Sequence, residues 1–79
     1  MKTKTTWERI TDILFDQLGS DPVKIKLSDK LAEDHGVDSL DMVEIVMALE
    51  NEFAIDITDE QAAKLITVQD IVDLLKPHA

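Results

Sequence analysis

The sequence contains no cysteine, only two glycines and two prolines, and 4% aromatic residues among its 79 positions. Without cysteine there is no disulfide framework and no thiolate metal site, and the two histidines, His35 and His78, lie too far apart in sequence to suggest a zinc-ligand set. A chain this short predicts one domain over residues 1–79, with no room for both a core and an enclosed substrate pocket. An enzyme is therefore a poor hypothesis, and stability must come from packing and from helix ends.

Long apolar runs are also missing from the sequence. The first residues, Met1 to Thr6, are polar and lead directly into an amphipathic segment, without the apolar core of a signal peptide. No stretch is long enough to span a bilayer. We therefore expect a cytoplasmic protein that does not insert into membranes.

Basic residues are few: 8 lysines and arginines face 17 acids, for a net charge of -9. Between Leu31 and Ala63 there are ten acids and no lysine or arginine. Such a surface repels nucleic acid and anionic membranes and favours partners with basic patches, in encounters that salt weakens. The acids lack the spacing of an EF-hand loop, so no metal site is predicted.

The first helix is predicted from about Thr6 to Leu18. Thr5 with Glu8 forms a capping-box pattern at its start, and Gly19 followed by Pro22 marks its end. Its apolar positions recur every three or four residues, which defines one face of a helix: Trp7, Ile10, Ile13, Leu14 and Leu18.

Residues 19–37 show no sustained periodicity and predict a long loop. Ser28 is a candidate cap for a single helical turn around Asp29 to Ala32. An alternative is a strand over Val23 to Leu27, although an isolated strand would have no evident partner.

Three further helices follow from capping residues and apolar spacing. The second is predicted from Asp38 to about Phe53, a short third from Thr58 to about Leu65, and the last from Val68 to Leu75, before Pro77. The prediction is an all-α fold: a small four-helix bundle of three longer helices and one short helix, with a long loop between the first and second helices.

The second predicted helix carries two apolar faces. One stripe is suited to the core: Met42, Ile45, Val46, Leu49 and Phe53. On the opposite face lie Leu40, Val43 and Met47, with Asp41, Glu44 and Glu50 around them. This face is interpreted either as a second buried contact or as a docking surface for a basic partner, with Leu40 and Met47 more exposed than Val43.

Ser39 lies just inside the start of this helix, behind Gly36 and Val37. Backbone N–H groups without intrahelical partners and the helix dipole favour negative charge there, so a phosphodiester on the Ser39 hydroxyl would be well placed. Taken alone, a serine at a helix start is more often a simple capping or first-turn residue.

The run from Asp34 to Glu44, DHGVDSLDMVE, resembles the attachment region of acyl carrier proteins, and the resemblance extends over nearly the whole chain. It implies that Ser39 is modified with 4'-phosphopantetheine, which a separate phosphopantetheinyl transferase takes from coenzyme A. The resulting phosphoprotein would be a monomeric carrier, not an enzyme. It would hold acyl chains as thioesters on the thiol of that arm and present them to fatty-acid synthesis enzymes.

The resemblance also implies a set of partner-docking positions, in agreement with the second apolar face of the helix. They are Asp38, Leu40, Asp41, Val43, Glu44, Met47, Glu50 and Ile57.

Three residues depart from the family pattern: His35 stands where leucine is usual, Asn51 where a further acid is common, and Thr58 where proline often precedes the third helix. Threonine is still able to cap that helix. His35 is either a partly exposed loop residue or a replacement for a packed leucine, and in the second case its protonation should loosen the loop.

Two other functions remain open at this point. One is a specialised, polyketide-type carrier, although those often have a less acidic second helix. The other is an acidic helical adaptor that binds a basic partner without covalent modification, with Ser39 as an ordinary helix-start residue.

Overall fold

A computed structural model describes residues 4–76, and over this range the chain is built from helices. The α-helices are α1 (Thr6–Leu18), α2 (Leu31–His35), α3 (Ser39–Phe53), α4 (Asp59–Ala63) and α5 (Val68–Leu75), and a 3-10 helix spans Pro22–Lys24. The predicted all-α bundle is confirmed, with α1, α3 and α5 as its longer helices. The predicted stop at Pro77, and His78, lie outside the described residues.

Helix α2 is the main difference from the prediction. The single turn expected around residues 29–32 instead begins at Leu31, and its N-cap residue is Lys30, which makes no side-chain capping hydrogen bond. Ser28 therefore does not cap it. Tertiary contacts hold this helix in place instead. Leu31 is buried, and its N–H donates a hydrogen bond to the Ile66 carbonyl oxygen at 2.9 Å.

Reciprocal side-chain caps begin the other four α-helices. In each, the cap side chain accepts a hydrogen bond from the backbone N–H three residues on, and that third residue accepts one from the cap N–H. The pairs are Thr5 with Glu8, Asp38 with Asp41, Thr58 with Gln61, and Thr67 with Asp70.

The α5 cap is also a pH-dependent contact. The N–H groups of Thr67 and Ile66, each 2.9 Å from the carboxylate of Asp70, hold its pKa below the ordinary value of 3.8. A carboxyl whose pKa is lowered by folding stabilises the folded state at pH values above its ordinary pKa. That contribution is lost as the pH falls through the pKa of the folded state.

The core lies between α1, α3 and α5. Its fully buried members come from α1, α2, α3 and α5: Ile10, Leu14, Leu31, Ile45, Leu49, Val68, Ile71 and Leu75. Met42, Val46 and Phe53 are partly buried against this cluster, so the inner stripe predicted for α3 is confirmed. None of the helices between residues 4 and 76 is long and apolar enough to cross a membrane.

The long connection after α1 is fastened to the start of α5. The N–H of Val68 donates to the Asp29 carbonyl oxygen at 3.0 Å, and the N–H of Gln69 donates to that of Leu27 at 2.9 Å. The strand considered for residues 23–27 is not formed: a 3-10 helix covers its beginning, and Ile25 is buried in the core.

Arg9, the only arginine in the sequence, ties α1 to the end of α3. Its Nε lies 2.7 Å from Glu52 Oε2, its Nη2 donates to the Glu52 carbonyl oxygen, and its guanidinium lies 4.1 Å from the centre of the Phe53 ring. One side chain thus makes an ion pair, a hydrogen bond to a carbonyl oxygen in the last turn of α3, and a cation–π contact.

Replacing Arg9 with methionine should lower the free energy of unfolding by about 1–2 kcal/mol, because three contacts are lost together. Urea denaturation monitored by circular dichroism measures this. Lys4→Met is the matched control, because it removes the same charge from an exposed pair with Asp12 and should change stability by no more than about 0.5 kcal/mol. Equal losses in the two variants would contradict the role assigned to Arg9.

Candidate functional site

The turn between α2 and α3 sets the position of Ser39. Gly36 adopts a left-handed conformation with φ of 66° at the end of α2, and its N–H donates to the Ala32 carbonyl oxygen at 3.1 Å. The next residue, Val37, is buried and donates its N–H to the Leu31 carbonyl oxygen at 3.0 Å. The backbone therefore enters α3 along a fixed path.

Ser39 is the first residue of α3, and it is exposed. The capping role belongs to Asp38, whose Oδ1 accepts from the Asp41 N–H at 2.8 Å, while Asp41 Oδ2 accepts from the Asp38 N–H at 3.3 Å. Because Asp38 supplies the cap, Ser39 is a first-turn residue and not the capping residue. Its hydroxyl is left facing solvent at a helix N-terminus, where a phosphate ester is electrostatically favoured.

A groove of about 450 Å³ borders Ser39. Its apolar walls come from α2, α3 and the connection between α4 and α5, and the lining includes Leu31, Val37, Met42, Leu65 and Ile66. Ile66 is largely exposed, so the groove continues onto the surface. No local sequence signal predicts Leu65 and Ile66 as neighbours of Ser39, because only the fold brings them there.

His35, the histidine within residues 4–76, makes no hydrogen bond to Ser39. His35 is engaged elsewhere: its Nδ1 lies 3.0 Å from Ser20 Oγ and its Nε2 lies 3.0 Å from Asp29 Oδ2. Between residues 4 and 76 no group of three or more histidines and acids is arranged to hold a metal ion. The exposed Ser39 hydroxyl is accessible for attachment of a group.

The environment of His35 differs from the apolar packing that the leucine comparison implied. The ring ends α2, its side chain is 11% exposed, and it contacts a carboxylate. The ring therefore does not replace a leucine packed among apolar side chains, which is the condition under which its protonation is expected to loosen the loop.

The outer face of α3 is exposed: Leu40 is 67%, Val43 54% and Met47 57% accessible. The interpretation of this face as a second buried contact is therefore wrong, and the order of exposure is the one expected. We call Leu40, Val43 and Met47 the outer stripe of α3.

Acids surround the outer stripe. Asp38 and Glu44 are exposed, whereas Asp41 and Glu50 are half-buried. The Glu50 carboxylate accepts a hydrogen bond from the Ile57 N–H at 2.9 Å. Glu50 therefore has a structural contact as well as a surface charge.

Ile57 differs from the other residues expected at a docking surface. It is only 8% exposed and belongs to the core. The short connection between α3 and α4 turns it inward, so in this conformation its side chain offers a partner almost no surface.

Comparison with known proteins gives a consistent result. Residues 8–75 match the family described as "Phosphopantetheine attachment site". The chain is 47% identical over 72 residues to an acyl carrier protein of Clostridium acetobutylicum, covering 91% of this chain and 94% of that one. It is 50% identical over 68 residues to an acyl carrier protein of Bdellovibrio bacteriovorus, covering 86% and 87%. An acyl carrier protein of Campylobacter concisus is 46% identical over 70 residues, covering 89% and 91%.

The cap that frees Ser39 is open to a direct test. Asp38→Ala should lower the free energy of unfolding by about 1 kcal/mol, because the Asp41 N–H loses its acceptor. Asp38→Asn keeps an acceptor oxygen and should cost only a few tenths of that. Thermal and urea unfolding of the two variants and the parent provide the comparison, and an unaffected alanine variant would show that Asp38 is not the cap.

Proposed function

The chain belongs to the acyl carrier protein family, whose members carry acyl chains on phosphopantetheine and are not catalysts, and on this premise we propose that Ser39 is its attachment residue. The observation that carries the proposal is an exposed hydroxyl at the first position of α3 that is not used for capping. The donor is coenzyme A, and a separate phosphopantetheinyl transferase supplies the catalytic groups. The arm brings the thiol that this chain lacks, and on it acyl groups are held as thioesters.

The first turn of α3 suits a phosphodiester on Ser39. The N–H groups of a first helical turn and the positive end of the dipole face the attached anion. The nearby carboxylates of Asp38 and Asp41 are turned into the cap, where each accepts a backbone N–H. The negative charge that would oppose a phosphate is thereby partly neutralised.

The groove beside Ser39 is the proposed location for the start of the acyl chain. Leu31, Val37 and Met42 give it apolar walls, and burial of each methylene contributes about 0.8 kcal/mol. Methionine in the wall can adjust to chains of different length because it is unbranched. A short helix, α2, forms one side, and its lack of a side-chain cap makes it the easier wall to move.

The outer stripe and its acids form the proposed docking surface for the transferase and for fatty-acid synthesis enzymes with basic patches. Leu40, Val43 and Met47 supply apolar contact, while Asp38, Asp41, Glu44 and Glu50 attract arginine and lysine. We assign Ile57 to the core beneath this surface rather than to the surface itself, because it is buried.

Fatty-acid synthesis is the role that the acidic outer face favours, and no observation supports the polyketide-type carrier or the non-covalent adaptor. The remaining elements of the proposal are a cytoplasmic monomer and a single carrier domain over residues 1–79. One continuous core between Ile10 and Leu75 and the family match over residues 8–75 support the single domain.

Incubation with coenzyme A, magnesium and a broad-specificity phosphopantetheinyl transferase should add one phosphopantetheine to the parent and none to Ser39→Ala. Intact-mass spectrometry measures the gain. Ser20→Ala and Ser28→Ala are matched controls, since they remove the other two serines of the chain, and both should be modified fully. Modification of Ser39→Ala, or no modification of the folded parent by several transferases, would refute the assignment.

Val43→Glu should lower kcat/KM of the transferase reaction about five- to tenfold, the effect of losing a central contact worth about 1 kcal/mol or more. Val23→Glu is the matched control, because Val23 is 91% exposed and lies in the 3-10 helix, which packs on α1. It introduces the same charge and should leave the rate within about twofold. Similar losses in both variants would indicate a general charge effect and not docking on α3.

A further inference from the structure

The His35 ring joins two segments that are distant in sequence. Its Nδ1 lies 3.0 Å from Oγ of Ser20, just after α1, and its Nε2 lies 3.0 Å from Oδ2 of Asp29, just before α2. The side chains of His35 and Asp29 are 11% and 19% exposed. A contact this sheltered is screened by solvent far less than the surface pairs of the same chain.

Asp29 is itself held in place. Its Oδ2 also accepts from the Lys26 N–H at 2.9 Å, and its carbonyl oxygen accepts from the Val68 N–H at 3.0 Å. The Lys26 N–H, and after it the His35 ring, hold the pKa of Asp29 below its ordinary value of 3.8, so the group is an anion at neutral pH. Through Asp29, His35 is connected to the start of α5.

Both contacts of the ring survive the uptake of a proton. In the neutral ring Nε2–H donates to Asp29, and Nδ1 accepts from the Ser20 hydroxyl. In the imidazolium Nδ1 becomes a donor, and the Ser20 oxygen turns into its acceptor. The hydrogen bond to Asp29 then becomes charge-assisted, which makes it roughly twice as strong as its neutral form.

The other charges near this contact are already engaged. On α2 itself, the Asp34 carboxylate accepts from the Lys30 N–H at 2.7 Å, and Glu33 pairs with the Lys30 ammonium at 3.4 Å. Beside Ser20, the Asp21 carboxylate caps the 3-10 helix through the Val23 N–H. The cation of Lys26 acts on Asp29 from the loop side. Asp29 is thus the anion that faces the ring directly.

We propose that Ser20, His35 and Asp29 form a proton-strengthened latch that holds the turn leading into Ser39. His35 immediately precedes Gly36, and the turn of Gly36, Val37 and Asp38 is the only chain between the ring and Ser39. Closing the latch fixes the α2 side of the groove. An influence of the latch on the attachment site rests on the proposed role of Ser39. The test of the latch itself does not require modification of that residue.

The sign of the pH effect follows from the two groups. The ion pair exists only where Asp29 is ionised and His35 is protonated. Its contribution is lost at low pH as the Asp29 carboxylate takes up a proton, and it is absent whenever the ring is neutral. With Asp29 ionised, the latch is therefore stronger with a protonated ring than with a neutral one.

The test compares the parent with His35→Leu, Asp29→Asn and the double variant, all in a His78→Ala background so that His35 is the only histidine. Melting temperatures and backbone amide protection at residues 36–39 are measured at pH 5.5 and pH 8. His35→Gln serves as a second variant that keeps a polar side chain without a titration. Protection is normalised for the pH dependence of intrinsic exchange.

The melting temperature of the parent minus that of His35→Leu should be about 3–5 °C larger at pH 5.5 than at pH 8. This is the size expected for a charge-assisted contact in a chain of this length. Protection at residues 36–39 should be about three- to fivefold greater at the lower pH. Asp29→Asn should abolish both differences. A parent and His35→Leu that respond identically to pH, or a response that persists in Asp29→Asn, would overturn the proposal, whether or not Ser39 is modified in separate assays.

Discussion

The packing of the inner stripe of α3 against α1 is the contact on which the rest of the structure depends. Ile45 and Leu49 are fully buried there, together with Ile10 and Leu14 of α1. The sequence has no cysteine, so no disulfide supplements this packing, and the fold depends on a small core. Because the core covers only one side of α3, its opposite side is left open to solvent. The exposed outer stripe is thus a consequence of how the helix is held.

Capping hydrogen bonds at the helix ends add stability to that of the small core. Side chains cap four of the five α-helices between residues 4 and 76, and at α3 the cap has a functional consequence as well. Asp38 caps the helix through the Asp41 N–H, so the helix does not depend on the Ser39 hydroxyl, which is free to carry a group. One helix therefore has three separate roles: its inner stripe folds the chain, its first residue is the proposed attachment point, and its outer stripe is the proposed docking surface.

Much of this arrangement can be predicted from the sequence, because local signals are strong. Capping residues and apolar spacing predict α1, α3, α4 and α5, and the two faces of α3 follow from its helical rotation. Helix α2 is harder, since Lys30 provides no side-chain cap and the burial of Leu31 depends on distant residues. The contacts of His35 cannot be predicted from local sequence for the same reason. Its partners lie 15 and 6 residues away in the sequence, and only the folded loop brings them together.

In this account, α3 packs the core with its inner stripe and docks partners with its outer stripe. The most direct test of this division is an NMR titration of the isotope-labelled chain with an unlabelled phosphopantetheinyl transferase, without coenzyme A. The account predicts that amide shifts change along the outer stripe from Leu40 to Met47 and at Asp38, and that added salt reduces them. A second groove, which Trp7, Leu27 and Val72 line and to which α3 contributes no residue, should be unaffected. Changes centred on that groove, with α3 unperturbed, would contradict the account.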